Sequence, residues 1–145
     1  MTSGRTTGER ELAPGETGLA FGPMRQLRPH VAREEYVSIV RRMMESEGYR
    51  LAAVMDDGEV RAVAGYRFMY MLYCGRLLYV DDLVTDDRVR SHGYGGEMMD
   101  WLKAEARDQG CSELQLISRV TREQAHRFYF REGMAIECFE FRVKL

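Results

Sequence analysis

The chain of 145 residues has only three cysteines, and none of them belongs to a recognisable metal-binding or redox motif. Cys74, Cys111 and Cys138 stand far apart, without a CxxC pair or a Cys/His cluster. An odd number of scattered thiols indicates neither a zinc site nor a disulfide framework. We therefore expect no bound metal, and we interpret the cysteines as small buried apolar side chains.

The chain also lacks an excess of charge of either sign. Lys and Arg number 21, Asp and Glu number 23, and the formal net charge is −2. This balance gives no electrostatic reason to expect a nucleic-acid partner. We assign the local basic residues Arg25, Arg28, Arg41 and Arg42 to solvated faces.

Long apolar runs are absent as well. No run approaches the ~18 residues of a membrane-spanning helix, and the N-terminus does not have the pattern of a secretion signal. We therefore expect no membrane partner and a cytoplasmic location. A hydrophobic share of 45% and a charged share of 30% are ordinary for a globular protein, so we expect a polar flexible tail at residues 1–8 and one domain at residues 9–145.

The order of the hydrophobic patterns predicts an α/β fold with a mixed sheet. Consecutive strands joined by turns favour antiparallel pairing in the first part of the sheet. A strand, a helix and a strand between Leu77 and Ser118 predict a right-handed parallel crossover. The predicted elements are strands at Glu9–Ala13, Tyr49–Met55, Val60–Met71, Arg76–Thr85, Ser112–Ser118 and Ile136–Val143, and helices at Gly18–Leu27, Arg33–Ser46, Gly93–Gln109 and Thr121–Glu132, the last opened by a capping box at Thr121–Gln124.

The stretch Arg90-Ser91-His92-Gly93-Tyr94-Gly95-Gly96 is the strongest functional signal. It lies between an apolar strand and a helical pattern, where free N–H groups at the start of a helix bind anions. Gly93 and Gly95 permit a close approach of the backbone to a phosphate, and Arg90 adds a cation. The Walker and dinucleotide-binding glycine patterns are both absent. The stretch alone indicates either a phosphate site or a plain helix entry.

Two motifs together resemble the GCN5-related N-acetyltransferase (GNAT) family. Arg90-x-x-Gly93-x-Gly95 after Leu83-Val84-Thr85 is similar to the family's acetyl-CoA loop, Gln/Arg-x-x-Gly-x-Gly/Ala. The segment from Ala125 to Met134 is similar to its late helix pattern, Ala-x-x-Phe-Tyr-x-x-x-Gly-Phe. Met134 replaces the usual Phe, and Arg122 replaces an Asn that is often present before this helix. The resemblance implies the GNAT fold, antiparallel strands followed by a parallel centre that splays around the cofactor.

The resemblance also implies a cofactor site. The pyrophosphate of acetyl-CoA lies on the backbone of the loop, here Arg90, Ser91, His92, Gly93, Tyr94, Gly95 and Gly96. The pantetheine arm pairs with the preceding strand, here Leu83, Val84 and Thr85, and the N–H of Val84 faces the thioester oxygen. Phe128 is expected to contact the cofactor.

The chemistry that the resemblance implies is direct attack of an amine on the thioester. Attack needs a neutral amine and therefore a general base, for which Asp81 and Asp82 are the candidates. Adjacent residues of a strand face opposite sides, so only one of the two faces the acceptor unless a bulge intervenes. Tyr129 occupies the family's position for the acid that protonates the departing thiolate, and it is alternatively a residue that only packs against the cofactor.

The acceptor is the part of the reaction that the sequence specifies least. The strand from Val80 to Asp87 is similar to that of GNAT members that acetylate small amines, and we expect a primary amine of a small molecule. A protein or peptide acetyltransferase, and a non-catalytic acetyl-CoA sensor or partner-binding module, are the alternatives. An aromatic and Met-rich surface, consisting of Tyr66, Phe68, Met69, Tyr70, Met71 and Tyr73, is interpreted either as part of the acceptor site or as the interface of a homodimer.

Overall fold

A computed structural model describes residues 7–145, and part of the predicted tail at residues 1–8 lies outside the described residues. The described residues fall into two compact units that divide after Gln115. The elements are β1 (Gly8–Glu11), α1 (Phe21–Leu27), α2 (Arg33–Ser46), β2 (Arg50–Asp56), β3 (Glu59–Met71), β4 (Gly75–Thr85), α3 (Tyr94–Asp108), β5 (Glu113–Leu116) and α4 (Glu123–Arg131), with 3₁₀ helices at Pro14–Ala20 and Asp87–His92.

The five strands form one sheet in the order β1-β2-β3-β4-β5. Neighbouring strands from β1 to β4 pair antiparallel, and the long helix α3 connects β4 to β5. The predicted α/β class with a mixed sheet is confirmed. Helix α2 has the predicted bounds, and β2, β3, β4 and α3 each begin and end within one residue of the predictions.

Both faces of the sheet are covered in the first unit. One face packs against the first 3₁₀ helix, α1 and α2, and its core contains Met24, Tyr36, Leu51, Ala53 and Val84 among others. The opposite face packs against α3, whose buried side chains are Met98, Met99, Leu102 and Ala106. The strands contribute to both cores, because successive side chains of a strand point to opposite faces of the sheet.

A β-bulge interrupts the pairing of β3 with β4. Gly65 lies opposite Asp82, while the next residue, Tyr66, lies opposite Val80. Asp81 is therefore the additional residue of the bulge, and it has no partner residue in β3. A bulge of this kind bends the strand and changes the direction of its side chains, which decides where the two predicted carboxylates point.

The second unit consists of the end of β5, helix α4 and the residues that follow it. The predicted strand Ile136–Val143 is wrong for the described chain, because no backbone ladder forms there. Alternating apolar residues set a side-chain pattern, but a strand also needs a neighbour for its N–H and C=O groups. Cys138 lies in this segment and is exposed, contrary to the prediction of a buried thiol.

Helix α4 begins later than the capping box predicted. Arg122 is the residue at its N-cap, and no side chain caps the helix. Backbone bonds of the preceding turn, including the N–H of Arg122 to the carbonyl of Arg119 at 3.1 Å, take the place of the expected cap by Thr121.

The predicted aromatic and Met-rich surface is only partly a surface. Tyr66 is fully buried and packs edge-on against Trp101 at 5.9 Å between ring centroids. Tyr70, Met71 and Tyr73, at the tip of the β3–β4 hairpin, are exposed. The homodimer stays a prediction. Among the helices of residues 7–145, none is both long and apolar enough to cross a membrane.

Candidate active site

The side chains of Asp81 and Asp82 point to the same side of β4. They can do so because Asp81 is the additional residue of the bulge, where the regular alternation of side chains is interrupted. Arg67 of β3 donates two hydrogen bonds to Asp81, at 3.0 Å to Oδ1 and 2.5 Å to Oδ2. Tyr49 donates its hydroxyl to Oδ2 of Asp82 at 2.7 Å. The guanidinium of Arg67 also lies over the Tyr49 ring, 5.7 Å from its centroid, so both carboxylates are in one polar cluster.

Arg28 completes this cluster from the end of α1. Its Nε donates to Oδ1 of Asp82 at 2.9 Å, and its Nη2 donates to the carbonyl of Asp81 at 3.3 Å. The assignment of Arg28 to a solvated face was therefore incomplete, because its head group is an ion-pair partner. We call the set Arg28, Tyr49, Arg67, Asp81 and Asp82 the acid-pair cluster.

Gly65 makes the Tyr49–Asp82 hydrogen bond possible. A Cβ at position 65 would lie 1.8 Å from the Tyr49 hydroxyl and 2.4 Å from its ring carbon Cζ. The absence of a side chain there lets the buried Tyr49 ring cross β3 and reach Asp82 on β4. Glycine in the interior of a strand commonly marks such a close approach.

Burial and hydrogen bonding act in opposite directions on the pKa of Asp81 and in the same direction on the pKa of Tyr49. Burial raises the pKa of Asp81, and the guanidinium of Arg67 partly counteracts this rise. Burial also raises the pKa of the Tyr49 phenol, and the charge of Asp82 raises it further, so Tyr49 keeps its proton and donates it. Each carboxylate oxygen has a second lone-pair direction besides the one in use.

The predicted phosphate loop follows β4 directly. Its 3₁₀ turns span Asp87–His92 with a kink at Val89, and Gly93 has a φ of +82°, a left-handed conformation that glycine adopts without strain. Helix α3 begins at Tyr94, so the N–H groups of Tyr94, Gly95 and Gly96 have no acceptor within the helix. Arg90 is exposed beside them.

His92 and Tyr94 of the loop have local contacts. His92 lies with Nδ1 3.0 Å from the carbonyl of Val89, and its ring stacks on Tyr94 with 6.0 Å between centroids. The loop therefore presents backbone donors and one cation, which is what a pyrophosphate needs.

The end of β4 offers a second set of backbone groups. Strand β5 has four residues and begins next to Arg76, since the N–H of Ser112 donates to the Arg76 carbonyl at 2.9 Å. Leu83–Thr85 pair with β3 on one side. Strand β5, the neighbour of β4 on the other side, spans only about 13 Å at 3.3 Å per residue, so it ends before it reaches Leu83–Thr85. This edge can accept an extended ligand as an added strand.

The second unit carries the other two predicted site residues. Phe128 and Tyr129 are half-buried neighbours on α4, with 5.7 Å between ring centroids. Burial raises the pKa of Tyr129, while Arg122 lowers it in part. His126 on the same helix lies 2.9 Å through Nε2 from the carbonyl of Arg119, so that nitrogen has a local partner.

Three residues of the candidate active site could not be predicted from the sequence. Tyr49, Gly65 and Arg67 gave no local signal, because their contacts depend on the pairing of three strands.

Residues 7–145 contain no group of three or more His, Cys, Asp or Glu side chains arranged to hold a metal ion.

Comparison with known proteins agrees with this architecture. The family model described as "Acetyltransferase (GNAT) family" matches residues 20–134. This covers most of the chain, including the acid-pair cluster, the loop and α4. The chain therefore belongs to the GNAT acetyltransferase family.

Relatives and solved structures point the same way. The chain is 33% identical over 120 residues to the Bacillus subtilis (strain 168) protein named uncharacterized N-acetyltransferase YhdJ, covering 82% of this chain and 84% of that protein. It is 31% identical over 94 residues to the aminoalkylphosphonate N-acetyltransferase of Salmonella typhimurium, covering 64% of this chain and 60% of that protein. The aminoglycoside N-acetyltransferase AAC(6′)-Iy in complex with CoA shares the fold, with a TM-score of 0.82, 14% identity, and coverage of 99% and 98% of the two chains. The protein is an enzyme, an acyltransferase of the N-acetyltransferase type that acts on amines.

Proposed function

We propose that the protein transfers the acetyl group of acetyl-CoA to the primary amine of a small molecule, with the carboxylates of Asp81 and Asp82 handling the proton of the amine. The observation that supports this most strongly is the bulge in β4. It brings both carboxylates to one side of the strand, immediately before the backbone edge of Leu83–Thr85.

The proposed cofactor site combines the loop with the edge of β4. The N–H groups at the start of α3, together with Arg90, hold the pyrophosphate, because they concentrate positive potential at one point. The free edge of Leu83–Thr85 pairs with the pantetheine arm. The N–H of Val84, expected from the sequence to face the thioester oxygen, instead faces β3, because ladder hydrogen bonds recur at every second residue and the N–H of Asp86 donates to the carbonyl of Arg61. The N–H of Leu83 faces the open edge, and we assign to it the donation to the thioester oxygen as negative charge develops there. Phe128 packs against the cofactor, as the family resemblance implies.

The acid-pair cluster accepts a proton from the attacking amine. An alkyl amine with a pKa of about 10.4 is mostly protonated at neutral pH, and only its neutral form has the lone pair needed for attack. We assign the proton to Asp81, because burial raises its pKa and makes it a stronger base. Asp82, held by Tyr49 and Arg28, adds negative charge that attracts the ammonium form of the substrate.

The bond changes balance as follows. Asp81 first accepts one proton from the ammonium form and releases it to solvent, which leaves the neutral amine. The amine nitrogen then forms a bond to the thioester carbonyl carbon, its surplus proton moves to Asp81, and the carbon–sulfur bond breaks. Tyr129 gives its phenolic proton to the departing thiolate, as the family resemblance implies, and solvent returns the proton of Asp81 to Tyr129. A thiol pKa of about 8.5 makes this protonation favourable near neutral pH.

The preference for a small amine is supported by the named relatives. The relative from Salmonella typhimurium is named for aminoalkylphosphonates, and a structural neighbour is named for aminoglycosides. Both acceptors are small molecules that carry a primary amine. The likeness of the Val80–Asp87 strand to GNAT members that acetylate small amines supports the same acceptor class.

A panel of amines tests the proposal. The purified protein is incubated with acetyl-CoA and aminoalkylphosphonates, polyamines, amino sugars or lysine-containing peptides, and the acetylated product is identified by mass spectrometry. We expect turnover with at least one small primary amine to exceed turnover with every peptide. Turnover restricted to peptides contradicts the acceptor class and supports a peptide acetyltransferase. Tight binding of acetyl-CoA without turnover of any amine supports a sensor.

A further inference from the structure

The carboxylate of Asp86 holds the first turn of the phosphate loop. Asp86 is only 2% exposed, directly after β4. It caps the 3₁₀ turns by accepting the N–H of Arg88 at 3.1 Å, and Nη2 of Arg88 donates to its other oxygen at 2.7 Å. Its own N–H donates to the carbonyl of Arg61 on β3 at 2.8 Å.

Helix α1 contacts the start of the loop through the side chain of Gln26. Nε2 of Gln26 lies 3.4 Å from Oδ1 of Asp86, and Oε1 of Gln26 accepts the N–H of Asp87 at 2.9 Å. Gln26 therefore contacts two consecutive residues at the start of the loop. Because α1 ends next to Arg28, the same helix also contacts the acid-pair cluster.

The other end of the loop has its own attachment. The Tyr94 hydroxyl donates to Oδ2 of Asp56, at the end of β2, at 2.7 Å. The chain between Asp86 and Tyr94 is thus fixed at both ends, while the side chains of Arg90 and Ser91 between them are exposed.

Burial of a carboxylate is unfavourable unless donors surround it. The donors to the Asp86 carboxylate come from Arg88 in the loop and Gln26 in α1, so the position of Asp86 and the path of the loop depend on each other. Hydrogen bonds and charge from Arg88 keep the pKa of Asp86 well below its usual range, so the group stays ionised near neutral pH.

We infer that Asp86, supported by Gln26, is a positioning residue that sets the phosphate loop at the distance from the β4 edge that acetyl-CoA requires. This inference rests on the proposed function, because the loop is taken as the pyrophosphate site. Asp86 acts through the backbone of the loop and does not itself touch the cofactor, whose phosphates carry the same sign of charge.

Electrostatics and positioning predict opposite effects when Asp86 is neutralised. Removal of a negative charge near a pyrophosphate site should by itself strengthen the binding of CoA. Loss of a positioning group should weaken it, since small displacements of binding groups reduce affinity and rate strongly. The neighbouring Asp87 has an exposed side chain and the same charge, so Asp87→Ala is the matched control for the electrostatic effect.

The experiment measures the dissociation constant of CoA by calorimetry and the two KM values by kinetics, for wild type, Asp86→Ala, Asp87→Ala and Gln26→Ala. We expect Asp86→Ala to weaken CoA binding and raise the KM for acetyl-CoA roughly tenfold, with the KM for the amine within about twofold of wild type. Asp87→Ala should bind CoA as well as wild type or better. Gln26→Ala keeps Asp86 and removes the α1 contact, so it should weaken CoA binding by a smaller factor.

The outcomes separate this inference from the proposed function. A wild-type protein that does not bind CoA overturns both. A wild-type protein that binds CoA, together with a folded Asp86→Ala variant of equal or higher affinity, overturns the positioning role alone. If Asp86→Ala does not fold, Gln26→Ala decides, and unchanged CoA affinity in that variant overturns the inference. A lower melting temperature with unchanged CoA affinity identifies a purely structural role and also overturns it.

Discussion

Replacement of Gly65 by alanine should disrupt the acid-pair cluster by displacing Tyr49. The new Cβ would lie 1.8 Å from the hydroxyl, 2.4 Å from Cζ and 2.7 Å from Cε2 of Tyr49. Tyr49 is 3% exposed and packs in the core, so it has little room to withdraw. Either the ring moves away from Asp82 or the strands separate, and both changes break the 2.7 Å hydrogen bond between Tyr49 and Asp82.

The expected loss of stability follows from two effects. Overpacking of a well-filled core costs about 1–3 kcal/mol, and loss of a hydrogen bond to a charged group costs about 1.5–3 kcal/mol. The two combined give about 4 kcal/mol for Gly65→Ala. At roughly 3 °C per kcal/mol for a chain of this size, the melting temperature should fall by about 12 °C.

Thermal unfolding followed by circular dichroism is the assay, and Gly22→Ala is the matched control. Gly22 lies exposed in α1, and a Cβ there would meet nothing within 4 Å. That variant should be as stable as wild type or more stable by up to about 1 kcal/mol, because alanine is the better helix former. In a Tyr49→Phe background, which lacks the hydroxyl, Gly65→Ala should cost less. A Gly65→Ala variant within 0.5 kcal/mol of wild type, on the order of the noise of additivity, would refute this reasoning.

Two further predictions concern the proton donor and an exposed ion pair. Tyr129→Phe should lower kcat roughly 100-fold and leave binding of acetyl-CoA nearly unchanged. Tyr70→Phe, an exposed control, should have wild-type kcat. Equal kcat in wild type and both variants would remove Tyr129 from the mechanism. Glu16, paired with Arg10 at 2.8 Å, has a pKa lowered to about 2. Its contribution to stability is present above the ordinary pKa of a glutamate and is lost as the pH falls toward 2. Glu16→Gln should therefore reduce the difference in melting temperature between pH 5 and pH 2, and an unchanged difference would contradict the assignment.

The sequence was informative where structure depends on neighbours along the chain. The apolar residues of α2 recur at helical spacing, and the helix has the predicted bounds, Arg33–Ser46. The turn after Met55 and the glycine before α3 likewise specify local geometry. Gly93 has the left-handed conformation that a glycine at the start of a helix permits.

Prediction was incomplete where structure depends on distant partners. The sequence indicated that Asp81 and Asp82 would face opposite sides unless a bulge intervened, and the bulge exists because β3 and β4 change register at Gly65. No local pattern in the sequence encodes that register. The same holds for the hydrogen bond from Arg28, at the end of α1, to the carbonyl of Asp81, 53 residues later in the chain. The strand predicted from the alternation at Ile136–Val143 was wrong for the same reason, since alternation specifies no partner.

The pH dependence of kcat/KM in Asp81→Asn and Asp82→Asn, beside wild type, tests the central claim most directly. With an amine identified from the panel, the account predicts that Asp81→Asn lowers kcat/KM roughly 100-fold at neutral pH and that its activity recovers in part at alkaline pH, where the amine loses its proton without help. Asp82→Asn should lose less and should mainly raise the KM for the amine. Wild-type kcat/KM and an unchanged pH profile in both variants would contradict the account.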